Sequence, residues 1–357
     1  MGLPVMNIIF AAAAKESVQR SERGAVGMII KDTAPETNPV VIYKEKDIPS
    51  TLSAENKEQI ALALEGNVNA PTKVVVYVLG AEAEDYSAAL SYFELNHVNW
   101  LCCPTAETDT QATAVATWVE EQREERNKIK AVLPNTEADN EGVVNYTTES
   151  VTVGEKTYTA EKFCSRVAGL LAGTPSQQGA TYSVLTDVAD CTKKKKAELD
   201  AAIDAGEFVL FYDGEKVKVA RAVNSLTTVS EEKTDAWKKI KVVETMDMMH
   251  DDLVMLVEDN YIGKYQNTYD NKCLLLTAVR AYLDEIGRSG LIEDYEVDFD
   301  VDAIRDYIVE YKGVSRDTAE AMKDAEVKKQ YTDEKVFLRA AVTIIDVMED
   351  ITLNITV

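Results

Sequence analysis

The sequence predicts a mixed α/β protein, with a central α/β unit built on a mostly parallel sheet and a C-terminal α+β region. Three observations carry this. Between residues 73 and 133, apolar β-type runs alternate with helix-type runs, the pattern of a parallel sheet whose crossovers are helices. From residue 233 to 325 the chain reads as successive helices, the first with one apolar stripe. The end of the chain then returns to β-type patterning, in residues 336–345 and 351–357.

In chain order, residues 4–11 (PVMNIIFA) are extended and apolar, either a strand of the main sheet or a loose arm. Residues 25–30 (AVGMII) form a strand and 31–39 a loop. Residues 53–64 start with Ser53, a helix-capping residue, and continue at helical spacing. A buried strand at 73–79 (KVVVYVL), a helix at 82–95, a strand at 97–102, an amphipathic helix at 109–126 and a strand at 128–133 make the alternating run. Residues 142–146 add a strand, 150–158 a hairpin around Gly154-Glu155, and 159–171 a helix. A helix over 193–205 is closed by Gly206, and 208–212 pairs with 216–222 across Asp213-Gly214. Helices are expected over 233–259, 270–286, 302–309 and 315–325.

The last run, Ile351-Thr352-Leu353-Asn354-Ile355-Thr356-Val357, alternates apolar and polar residues without a charge. As a free edge such a strand invites aggregation, so it calls for a partner. Upstream, Val336, Leu338, Ala340, Val342 and Ile344 share one face of the preceding run, and residues 346–350 can turn the chain between the two. A hairpin that completes its own domain and a strand shared with a neighbouring copy both fit. The pattern alone does not separate them.

The chain has 357 residues and a formal net charge of -24, which argues against phosphate-backbone recognition and hence against nucleic acid as a partner. Copies of such a chain repel one another, so self-association is expected to depend on salt. Five cysteines without CxxC spacing point to reduced thiols in a cytosolic protein. Residues 1–14 lack the basic start of a secretion signal, and no apolar run reaches the roughly 20 residues of a membrane span. No direct membrane insertion is expected.

Little in the sequence suggests catalysis. GxGxxG, GxxxxGK[ST] and GxSxG are absent, and Gly169 to Gly173 is a GxxxG spacing that reads as close helix packing. His97 and His250 are the only histidines, too few for a histidine metal site or relay. Asp298, Asp300 and Asp302 alternate but lack the glycine and closing glutamate of a calcium loop, so solvated carboxylates are expected. No catalytic residue, metal or cofactor is assigned; an α/β enzyme binding a small ligand at the C-terminal ends of its strands is the alternative. Lys193, Lys194, Lys195 and Lys196 stand out in so acidic a chain, as a solvated face or an electrostatic contact for an acidic partner.

Taken together, several segments resemble the contractile tail sheath proteins of phages and tail-like bacteriocins, especially the short sheaths. Arg23-Gly24 leading to Met28-Ile29-Ile30, Cys103-Pro104-Thr105, Val132-Leu133-Pro134-Asn135, Glu141-Gly142-Val143-Val144-Asn145, and residues 167–175 followed by Ala180-Thr181-Tyr182 carry the likeness in order. The most specific block runs from Ala205-Gly206-Glu207-Phe208 through Val223-Asn224-Ser225, Met246-Asp247 and Tyr261-Ile262-Gly263-Lys264. The Ala222-Val223-Asn224-Ser225 stretch departs mildly from the family's Gly-Ile-Asn-Thr-like turn.

The resemblance implies a non-enzymatic subunit that stacks as six-fold rings around an inner tube and contracts to drive that tube through a bacterial envelope. It implies an arm at 1–22, an N-terminal sheath segment at 23–95, an α/β domain at 96–235 and a polymerisation domain at 236–357. The sheet of that last domain would be completed by terminal arms of neighbouring subunits, which favours the shared-strand reading. The expected interface residues are Val5, Ile8, Ile9, Phe10, Val342, Ile344, Ile351, Leu353, Asn354, Ile355 and Val357. Expected partners are other copies, the inner tube protein, and baseplate and tail terminator proteins. Assembly would take place in the host cytoplasm, into a virion tail or a released tail-like particle.

Overall fold

A computed structural model describes residues 23–356 apart from Ala34 and Arg126. The expected arm, with Val5, Ile8, Ile9 and Phe10, lies outside the described residues, as does Val357. The chain divides into two compact units, the larger holding residues 23–249, 285–296 and 340–356 of those described, the smaller residues 250–284 and 297–339.

The larger unit opens with β1 (Ala25–Lys31), β2 (Val40–Ile42), α1 (Ala54–Leu64), β3 (Lys73–Leu79), α2 (Ser87–Leu95), β4 (Trp100–Cys102), α3 (Ala112–Glu124), β5 (Lys130–Pro134) and β6 (Val143–Tyr146). A hairpin of β7 (Ser150–Val153) and β8 (Lys156–Thr159) follows, then α4 (Ala160–Ala172), β9 (Val188–Cys191), α5 (Lys196–Asp204), β10 (Glu207–Phe208), β11 (Leu210–Tyr212) and β12 (Val217–Val219). Seven strands form the main sheet in the order β10-β6-β5-β4-β1-β3-β2. Every pairing in it is parallel except the edge pair β2–β3. Val26 stands opposite both Val74 and Trp100, and Val132 opposite Val144.

Both faces of this sheet are covered, which is why its strands read as continuous apolar runs. Val26, Met28 and Ile30 pack with Ile60 and Ala63 of α1 and Phe163 and Val167 of α4. Their neighbours Ala25 and Ile29 point to the opposite face, among Leu90 and Phe93 of α2 and Val115 and Val119 of α3. The GxxxG spacing is helix packing, as the sequence suggested. A Cβ on Gly169 would stand 2.0 Å from the Ala63 carbonyl oxygen, and one on Gly173 2.0 Å from that of Asn69. Gly169 lets α4 lie directly on α1, and Gly173 lets the end of α4 close against the loop that follows α1.

Four further elements pass from one unit into the other along the chain: α6 (Ile240–Asn260), α7 (Tyr269–Arg288), β13 (Ile292–Phe299) and β14 (Leu338–Ile344). The smaller unit also holds α8 (Val301–Lys312), α9 (Arg316–Ala321) and α10 (Asp324–Val327). Strands β13 and β14 pair into a two-stranded sheet. The alternating aspartates have local duties: Asp300 caps α8 through the Ala303 amide at 3.0 Å, Asp302 pairs with Arg305, and Asp298 with Lys328.

Several expectations need correction. The run 208–212 is two strands, since Phe208 ends β10 in the main sheet while Leu210 begins the β11–β12 hairpin. The first long helix starts at Ile240, after a short turn of 3₁₀-helix over Asp235–Lys238. β2, β9 and β13 were not expected, and in the single chain residues 351–356 pair with no other described strand.

Candidate assembly surface

The last described stretch of the chain belongs to the larger unit and changes character at Asp350. Up to that point it is tied down. The Ile345 amide donates to the Leu291 carbonyl at 2.9 Å, the Lys241 ammonium donates to the Ile345 carbonyl, and Lys239 pairs with Asp346. Thr181 donates its hydroxyl to Glu349 at 2.5 Å, and Arg221 contacts Glu349 at 3.4 Å and Asp350 at 2.8 Å. Beyond Asp350 no hydrogen bond or ion pair to another described residue follows. Ile351, Leu353 and Ile355 are 78%, 78% and 76% exposed, and Asn354 is exposed with them. A single chain therefore does not form the hairpin that would bury this apolar face among the described residues.

Val342 and Ile344 lie half-buried on β14, with Leu338, while Ala340 and Val336 of the expected face are exposed. Two strands alone make a marginal sheet in water, so β13–β14 has capacity for further strands on its edges. Lys193 and Lys196 are compensated locally, by Asp190 at 3.5 Å and Asp200 at 2.7 Å. Lys195 occupies the N-cap of α5, its amide donating to Glu198 at 2.5 Å, and Lys194 is half-buried. This local acid explains how a basic run is tolerated at a helix start.

A second feature had no signal in the sequence: a buried ionic network in the larger unit. Arg123 of α3 grips Asp247 of α6 with two bonds of 3.0 Å, and Lys130 of β5 reaches the same carboxylate at 2.8 Å. Arg123 also meets Glu141 at 3.3 Å, which takes Lys233 at 2.9 Å on its other oxygen. Burial alone would raise the Asp247 carboxyl; Lys130 and Arg123 outweigh it and hold the group well below the usual carboxylate range. For Glu141 burial is likewise outweighed, by Arg123 and Lys233.

The place where an α/β enzyme would bind its ligand, beyond the C-terminal end of β5, is a shallow cleft of about 480 Å³. Its charged lining is Glu107, Glu120 and Glu137, without a histidine, cysteine, lysine or arginine. His97 sits beside Asn127 and His250 beside Asp251, far apart in the chain and in no shared cluster. Among the described residues no group of three or more His, Cys, Asp or Glu side chains could hold a metal, and no helix is long and apolar enough to cross a membrane. Cys102, Cys103, Cys164 and Cys191 are buried thiols, and burial pushes Cys102 up to about 12, so they are inert packing residues.

Comparison with known proteins gives the family. Residues 79–225 match the model of the phage tail sheath protein central domain, and residues 232–357 that of the phage tail sheath C-terminal domain. The tail sheath protein of Clostridium phage phiCD119 is 37% identical over 368 aligned positions, which cover 99% of each chain. The crystal structure of a sheath tail protein from Desulfitobacterium hafniense superposes with a TM-score of 0.68 at 19% identity, over 82% of this chain and 94% of that one. The helical sheath of the anti-feeding prophage in its contracted state gives a TM-score of 0.71 at 16% identity, over 100% and 99% of the two chains. With both family domains matched in order and a full-length relative at this identity, the chain belongs to the phage tail sheath protein family, whose members are structural subunits of contractile tails.

Proposed function

We propose that copies of this chain stack as six-fold rings around an inner tube, forming a sheath whose contraction drives the tube through a bacterial envelope. The observation that carries this reading is the exposed alternating run Ile351, Leu353 and Ile355, without a strand partner among the described residues of its own chain. Such a run is suited to adding a strand to the sheet of a neighbouring copy, as β-augmentation does elsewhere. The two-stranded β13–β14 sheet, carrying Val342 and Ile344, is the acceptor this reading favours. Residues 1–22, with Val5, Ile8, Ile9 and Phe10, supply a second apolar arm. The polymerisation domain is then 236–357 and the α/β domain 96–235, with 23–95 as the N-terminal segment.

Head-to-tail contacts of this kind do not close on themselves and give helical assemblies. Exchanged strands keep subunits linked while other contacts re-form, so contraction is a switch between two packings of nearly rigid subunits. The free energy is stored when the extended state assembles, and no catalytic residue, metal or nucleotide takes part. The inner tube, baseplate and tail terminator proteins are the other partners, and assembly occurs in the host cytoplasm into a virion tail or a released tail-like particle. Negative-stain microscopy of the purified protein is expected to show long tubes, and compact particles alone would refute the proposal. Contraction of purified tails is expected to survive a chelator and a nucleotidase; arrest by either would contradict the stored-energy account.

A further inference from the structure

The segment just before the exposed run is held by contacts that do not resemble ordinary core packing. Residues 345–350 form no strand beyond the Ile345 amide bond to Leu291. They are held instead at spaced points by side chains of three separate parts of the larger unit. Lys239 and Lys241, where α6 begins, take Asp346 and the Ile345 carbonyl. The 179–181 turn follows: Val347 sits over Gly179, where a Cβ would stand 2.9 Å from its Cγ2, and Thr181 holds Glu349. Arg221 then takes Glu349 and Asp350 together, the last residues before the contacts stop.

The arrangement is graded in burial. Glu349 keeps 11% of its side-chain surface in water and Asp350 86%, while Met348 between the anchors is 91% exposed. The anchors are thus polar, partly wet and individually weak. Together they fix six consecutive residues that carry little apolar burial of their own. Such a device holds a segment in place without making it part of the core.

We propose that residues 345–350 are a clasp for the root of the 351–356 arm, and that Arg221, Lys239 and the Gly179 notch are positioning elements that set where the arm leaves its subunit. This rests on the arm-donation reading given above. The physical reason is reach. Six extended residues span about 20 Å at most, so a short arm meets a strand edge on a neighbouring copy only if its root is fixed near that edge. A loose root would spread the arm over a larger volume and lower its effective concentration at the acceptor. The clasp settles that ordering within the subunit, before any second copy arrives.

The test uses the full chain, three substituted chains and one shortened chain, with melting, hydrogen exchange and sedimentation measured on each. Arg221→Glu is expected to leave the melting midpoint unchanged and to speed amide exchange in residues 346–350 by about tenfold. Its sedimentable polymer is expected to fall by about fivefold or more. Gly179→Val, which fills the notch under Val347 without altering charge, is expected to do the same. Arg221→Glu combined with Glu349→Arg and Asp350→Arg restores the pairing in reverse and is expected to restore polymer. A chain ending at Asp350 serves as the reference for an arm that is absent. If Arg221→Glu and Gly179→Val sediment like the unaltered chain while the shortened chain does not, the clasp is refuted and the arm stands. A charge-swapped chain that stays monomeric also refutes the clasp. If the shortened chain itself polymerises normally, the arm-donation reading falls, and the clasp with it.

Discussion

Asp247 is wholly enclosed with two cations, and this fixes how the chain responds to mutation and to acid. Asp247→Ala removes the carboxylate that Arg123 and Lys130 share and leaves these buried cations only Glu141 and Glu244, so a loss of about 3 kcal/mol is expected in denaturant unfolding of the monomer. The acid response follows from the same group. The folded state holds Asp247 and Glu141 below their ordinary values, so both contribute stability above about pH 4, the ordinary carboxylate range. That contribution is lost as pH falls further. The unfolding midpoint is therefore expected to drop steeply from about pH 4 downward, and Asp247→Asn to flatten the drop; an unchanged slope would contradict the assignment. None of this was legible in the sequence. The bonded partners of Asp247 lie 124 and 117 residues away in the chain, so no local pattern reports them. Ser53, by contrast, was legible as a cap, because its partner is the amide of Asn56 three residues on.

Strands with an apolar run or a turn signal beside them were read correctly, short ones such as β4, β6 and the β7–β8 hairpin included, whereas β2, β9 and β13 were not. β1 and β3 have seven residues each and are mostly apolar, whereas β2 has three residues and β9 four, too few to show a period. β13 was hidden by Glu293, Asp294 and Glu296, which face outward while Ile292, Val297 and Phe299 are buried. The α1–α4 contact supplies a prediction at this scale. Gly169→Leu places a side chain where even a Cβ would stand 2.0 Å from a backbone oxygen, and a loss of about 3 kcal/mol or more is expected on unfolding. A midpoint within experimental scatter of the unaltered chain would show that α4 can move off α1. The arms supply another. A chain lacking residues 1–14 is expected to melt as the full chain does, because every described strand of the sheet is retained, yet to fail in assembly or to give tubes that come apart on contraction. Normal contraction by the shortened chain would remove that arm from the account.

At the scale of the whole molecule, charge and the two ends dominate. A subunit of net charge -24 repels its neighbours, and at 0.01 M salt the Debye length of about 30 Å lets that repulsion act across a contact. Assembly followed by light scattering is expected to slow as salt is lowered, and assembly that improves steadily instead would mean attractive charge contacts prevail. The alternation in residues 351–357 predicts a strand, yet residues 351–356 pair with none of the described strands, and a pattern of one chain does not say which chain completes the sheet. The exposure of Leu353 and Ile355 in the single chain turns that ambiguity into a measurement. Asn354→Pro removes one backbone donor from the run and leaves its apolar face intact. Melting and sedimentation of this variant on one sample test the central claim most directly. The account predicts an unchanged melting midpoint and no polymer; a destabilised Asn354→Pro chain that still forms tubes would contradict it.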